Sequence, residues 1–125
     1  MSDLSLQFEN MAAKFKPGET VRGLAGWRLD TATTSIDLRL FWYTEGKGTQ
    51  DVTIVHSTTL EHPQQTQSYP FQFELPPSPY SFSGKLISLI WAVELVVRPS
   101  KESTRQTFTM SPTAEEIELH TAMNK

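Results

Sequence analysis

The chain has no cysteine, which excludes disulfides and cysteine-ligated metal and removes one of the usual signs of a secreted protein. It also lacks any run approaching the about 20 consecutive apolar residues of a membrane-spanning helix, and its opening, MSDLSLQFENMAAKF, carries an acid at Asp3 and no signal-peptide core. A cytoplasmic protein without a membrane span is the expectation. Its 11 lysines and arginines are scattered, against a formal charge of −3. The basic footprint that nucleic acid requires is therefore missing.

Residues for catalysis are equally sparse. Of the three histidines, His56 and His62 would lie on the order of 20 Å apart on a continued strand, too far to share an ion. No Gly-x-Ser-x-Gly occurs, so no serine has the strand-turn-helix setting of an activated nucleophile. Gly46-Lys47-Gly48 lacks the third glycine, the helix and the Lys-Ser/Thr ending of a phosphate cradle and reads as a hairpin tip. Glu115 and Glu116 are adjacent and would diverge on a helix, as acids of a solvated tail do. A non-enzymatic protein with no cofactor is expected.

What the sequence does contain is β-strand patterning. A chain of 125 residues suits one domain and can bury roughly two thirds of its unfolded surface. Phe71, Phe73 and Leu75 alternate as a half-buried strand does, and Pro76, Pro77 and Pro79 then stop the ladder for want of amide donors. From Leu86 to Val97 the odd positions Ile87, Leu89, Trp91, Val93, Leu95 and Val97 are all apolar, and the even positions are largely so. A strand apolar on both faces belongs at the centre of a sandwich.

Further strands are expected over residues 4–8, 19–29, 36–43, 51–59 and 106–110. Pro17 and Gly18 fit a type II turn, since proline presets φ and glycine accepts a positive one. Small residues at Gly23 and Ala25 are expected to admit bulky neighbours from the facing sheet, with Trp27 in the core. Ile36, Leu38, Leu40 and Trp42 point one way and Asp37, Arg39, Phe41 and Tyr43 the other. Residues 45–48 form a connection, and residues 62–68 a polar loop. The sum is an all-β antiparallel sandwich of about seven to nine strands over residues 1–110. Residues 111–125 form a polar acidic tail, disordered or briefly helical, with Ser111 and Pro112 placed as a helix cap and first residue.

Two segments resemble the arrestin-like family of immunoglobulin-like β-sandwiches. One is Phe15-Lys16-Pro17-Gly18-Glu19-Thr20-Val21-Arg22-Gly23. The other runs from Phe73-Glu74-Leu75-Pro76 through Pro79-Tyr80-Ser81-Phe82-Ser83-Gly84 to Ile90-Trp91-Ala92-Val93-Glu94. Pro17, Gly18, Pro76, Pro79, Gly84 and Trp91 are the structural positions of this pattern, which with the strands between covers about residues 4–110. The resemblance implies an adaptor or scaffold that recognises other proteins through sheet edges and loops. Family members join two sandwiches in tandem where this chain is expected to hold one, and a homodimer would rebuild such a pair. The charged core that holds some arrestins inactive is not matched residue by residue in this sequence, and none of it is carried over.

The candidate protein-contact surface is Arg39, Phe41 and Tyr43, an aromatic pair beside an arginine on the face opposite Leu40 and Trp42. Two other readings stay open. A small-ligand or carbohydrate-binding sandwich would use surface aromatics such as Tyr43, Tyr69 or Tyr80, and a hydrolase would show a deep pocket of converging histidine and acid side chains.

Overall fold

The computed structural model describes residues 2–46, 50–84, 86–113 and 117–118. Among the described residues seven long strands carry the fold: β1 (Asp3–Phe8), β3 (Thr20–Arg28), β4 (Ser35–Gly46), β5 (Val52–Glu61), β6 (Thr66–Glu74), β8 (Ile87–Arg98) and β9 (Ser103–Met110). Three two-residue strands join them: β2 (Lys14–Phe15), β7 (Phe82–Ser83) and β10 (Ile117–Glu118). The small sheet has the order β1-β3-β6, and the large one runs β10-β7-β8-β4-β5 with β9 also on β8. These two sheets form an all-β sandwich, as the alternation of apolar residues requires.

β8 is central, pairing with β4 along its full length and with β7 and β9 on its other side. Its odd-numbered residues Leu89, Trp91, Val93, Leu95 and Val97 are buried against Ile36, Leu38 and Leu40 of β4 and against the small sheet. The indole N–H of Trp91 donates to the carbonyl oxygen of Pro79 at 2.8 Å, satisfying its one polar group. Phe8, Phe15 and Phe108 pack edge to face with centroids 5.4–6.1 Å apart, a geometry favoured by the ring quadrupoles.

The turn at residues 16–19 closes through an amide of Glu19 donating to Lys16 O at 3.1 Å, with Gly18 at φ +82°. That is the expected type II geometry. Gly23 works differently from the expectation. A Cβ there would lie 2.3 Å from Gln7 O and 2.6 Å from Phe71 Cζ, atoms of the flanking strands β1 and β6. The glycine makes room for neighbours in its own sheet, because Phe8, Gly23 and Phe71 sit in one cross-strand row.

Other boundaries also differ. β4 continues through Glu45 and Gly46, which pair with Ser88 and Ile87, so the connection starts after residue 46 and not at residue 45; Lys47 and Gly48 lie outside the described residues. The expected loop over residues 62–68 gives up Thr66–Ser68 to β6, where pairing with Arg28–Gly26 satisfies their backbone. β2 was not expected as a strand; it pairs in parallel with Thr109 and Met110. Past Ser111, which is buried, residues 111–113 form a bend and turn, and Ile117–Glu118 are extended beside Phe82–Ser83. The tail's remaining residues, and with them the acidic pair Glu115 and Glu116 and His120, lie outside the described residues.

Candidate functional site

The outer face of the large sheet is built by strand parity. Ile36, Leu38 and Leu40 of β4 face the core, so Asp37, Arg39, Phe41, Tyr43 and Glu45 face outward. Register then sets their neighbours. On one side Phe41 lies opposite Ile54 and Tyr43 opposite Val52. On the other, Arg39 lies opposite Glu94, which in turn lies opposite Arg105 of β9. A β-bulge between Leu40 and Phe41 leaves Val55 as the extra residue of β5. It packs on the core while Ile54 and Val52 remain 51% and 63% exposed.

These residues enclose a shallow hollow of about 260 Å³ lined by Arg39, Phe41, Tyr43, Val52, Ile54 and Arg105, among others. Phe41 and Tyr43 stack with centroids 5.8 Å apart and an interplanar angle of 27°. The Arg105 guanidinium lies across both rings, 5.0 Å from the Phe41 centroid and 4.8 Å from that of Tyr43. It also reaches a carboxylate oxygen of Glu94 at 3.3 Å. A cation over two aromatic faces and beside a carboxylate is held by attraction from both.

This arrangement changes the role of one expected contact residue. Phe41 is only 4% exposed, because Tyr43 stacks on it and Arg105 covers it. The accessible part of the site is Tyr43, Arg39, Arg105 and the aliphatic pair Val52 and Ile54, while Phe41 is the platform beneath them. Sequence alternation sets Val52 and Ile54 on one strand face but places neither them nor Arg105 at this site. Arg105 lies in the part of β9 that precedes the expected strand start, and its link to Phe41 runs through two tertiary registers.

Next to the hollow, Asp37 accepts from Arg98 Nε at 2.8 Å and from Thr59 Oγ1 at 2.8 Å, with Arg39 at 3.4 Å. Burial alone would push its carboxyl up; the hydrogen bonds from Arg98 and Thr59 and the two guanidinium charges outweigh that and hold it below the usual aspartate value.

The other singled-out positions serve the framework. Pro17, Gly18, Pro76 and Pro79 form turns and the corner, and Gly84 follows β7. Ser81 is buried in the corner, its hydroxyl accepting from the Met110 amide at 3.0 Å. Of the aromatics considered for a carbohydrate platform, Tyr69 packs against the core, Tyr80 is 37% exposed, and Tyr43 has its face under Arg105. His56 stacks on Phe73 with centroids 6.3 Å apart. Among the described residues no group of three histidine, cysteine or acidic side chains comes together in a way that could hold a metal, and no helix is long and apolar enough to cross a membrane.

No family model matches the chain, and no curated protein matches it. Among solved structures, the chain is similar to Spo0M, a sporulation control protein from Bacillus subtilis, with a TM-score of 0.57 at 19% identity, over 88% of this chain and 49% of that one. A β-glucosidase from Listeria innocua, in complex with gluconolactone, aligns with a TM-score of 0.49 at 10% identity over 93% of this chain and 16% of the enzyme. The chain thus spans about half the length of Spo0M, and the likeness to it is one of fold.

Proposed function

We propose that the chain is a non-enzymatic protein-interaction module of arrestin-like type, acting as a cytoplasmic adaptor or scaffold through the outer face of its large sheet. One observation carries this reading: Arg105 laid over the stacked Phe41 and Tyr43, with Arg39 and the exposed Val52 and Ile54 around them. Arginine and tyrosine are residue types enriched at protein contacts, and the exposed aliphatic groups beside them add apolar area to bury. A sheet face with a shallow, open hollow suits another protein better than a small molecule, which needs deeper enclosure. The two motif segments and the fold likeness to Spo0M support the arrestin-like part. A carbohydrate platform at this site is disfavoured, since Tyr43 has its face occupied by Arg105.

The test is a photo-crosslinking amino acid placed at Tyr43 and, as a control, at Leu24, which is exposed on the small sheet. An adduct containing a different protein from position 43 alone, weakened by Arg105→Glu, supports the reading. Equal labelling from both positions, or glycan binding abolished by Tyr43→Ala, overturns it.

A further inference from the structure

The edges of the two sheets are not equally protected. β6 carries Pro70 in its middle and Glu74 at its end, and β1 lies against β9. Proline and charge at an edge, or a covering strand, are the usual means of preventing strand addition. β5 has no proline and, among the described residues, no covering strand, and its single charge, Glu61, lies at its end as Glu74 does in β6. Its ten residues, VTIVHSTTLE, contain no proline and no lysine, arginine or acid before Glu61, and among the described residues it pairs with β4 alone. We propose that β5 is a strand-addition edge whose occupant is β5 of a second copy of this chain, paired antiparallel about a two-fold axis.

Register and charge favour that occupant. The bulge places Val52, Ile54, Ser57 and Thr59 on the outer face, opposite Tyr43, Phe41, Arg39 and Asp37, and Thr53, His56 and Thr58 on the inner side, opposite Trp42, Leu40 and Leu38. An antiparallel copy centred between Val55 and His56 sets Val52 against Thr59, Ile54 against Ser57 and Thr53 against Thr58. Each pair shares a face, so the bulge does not break the match, and no pair opposes like charges. The adjoining hollow holds Arg39 and Arg105 against Glu45 and Glu94, so two copies of it approach without net repulsion. Each copy then supplies Ser57 and Thr59 as the missing wall beside the other's Ile54 and Val52, joining two hollows into one surface. A two-fold contact of this kind is self-complementary by construction.

The inference deepens the proposed contact function, because β5 borders the same hollow, yet its test uses the purified chain alone. Light scattering over a concentration series should give twice the 14.2 kDa chain mass. The double variant Thr53→Lys/Thr58→Lys places lysine against lysine and should weaken association at least tenfold. Thr53→Lys/Thr58→Glu places each lysine against a glutamate of the copy and should restore it. The two variants differ only at residue 58, so circular dichroism of both separates lost pairing from lost folding. A monomeric wild type, a dimer unaffected by the double lysine, or no restoration by the lysine–glutamate variant each overturns the inference. None of these outcomes bears on crosslinking of another protein at Tyr43, which judges the contact reading separately.

Discussion

The Trp91 indole nitrogen lies 2.8 Å from the Pro79 carbonyl oxygen, so the proline corner and the central strand are tied by a single side-chain hydrogen bond across the buried interior. Truncation of this residue removes both a large core volume and that tie. Trp91→Ala is expected to destabilise by about 3–5 kcal/mol, and Trp91→Phe, which keeps most of the packing but leaves the carbonyl without its donor, by about 1–3 kcal/mol. Urea unfolding monitored by circular dichroism measures both. A neutral Trp91→Ala would contradict the burial of the central strand.

Two glycines should fail for different reasons. At Gly23 an added methyl collides with Gln7 O and the Phe71 ring, so Gly23→Ala should cost about 1–3 kcal/mol, and Phe71→Leu in the same chain should recover part of it. At Gly18 a Cβ meets nothing within 4 Å, so only its φ of +82° is at issue. Gly18→Val should cost about 1–2 kcal/mol and Gly18→Asn less, since asparagine tolerates the left-handed region. Thermal unfolding of all four variants distinguishes crowding from backbone strain.

Asp37 makes a signed prediction about pH. Its folded carboxyl titrates below the ordinary value of 3.8, so its contribution is complete above that value and is lost as pH falls through the folded one. Asp37→Asn should therefore cost about 0.5–1.5 kcal/mol at pH 7. The stability gap to wild type should close in acid, below about pH 3.8. A gap that persists there would show that the loss comes from packing and not from the ion pair with Arg98.

Arg105 and Phe41 should be coupled energetically. A double-mutant cycle of Arg105→Ala with Phe41→Leu is expected to give an interaction of about 0.5–1 kcal/mol, as for a partly exposed cation over a ring. Arg105→Lys should retain part of it. Strict additivity would mean that the guanidinium merely lies near the ring.

Strand periodicity made much of this fold legible. The apolar odd set of β8 from Leu89 to Val97, the alternation of Ile36, Leu38 and Leu40, and the Pro17-Gly18 turn are local patterns found where each pattern places them; Ile87, the first of the odd set, is instead exposed at the strand's start. Lys14 and Phe15 carry no such signal: two residues cannot show a period, and their pairing with Thr109 and Met110 is fixed only once β9 is docked. The contact face was half legible for the same reason. Parity put Arg39, Phe41 and Tyr43 on one side, but their burial depends on Arg105, which reaches Phe41 through the pairings Phe41 with Ala92 and Glu94 with Arg105. Sequence alternation reports which way a residue points, and the strand two ladders away decides what then covers it.

The parallel seam between β2 and β9 has a mechanical consequence. The Thr109 amide donates to Ala13 O at 2.9 Å and the Ser111 amide to Phe15 O at 3.1 Å, so the two strands are held by bonds lying across their common direction. Tension applied upstream of β2 and downstream of β9 slides these strands past one another and loads both bonds at once, instead of peeling them apart in turn. The interlocked rings of Phe8, Phe15 and Phe108 stand directly behind that seam. Traction applied at the two flanks of this seam therefore meets resistance where an early segment and a late one are clasped together, loading both bonds before either strand can leave.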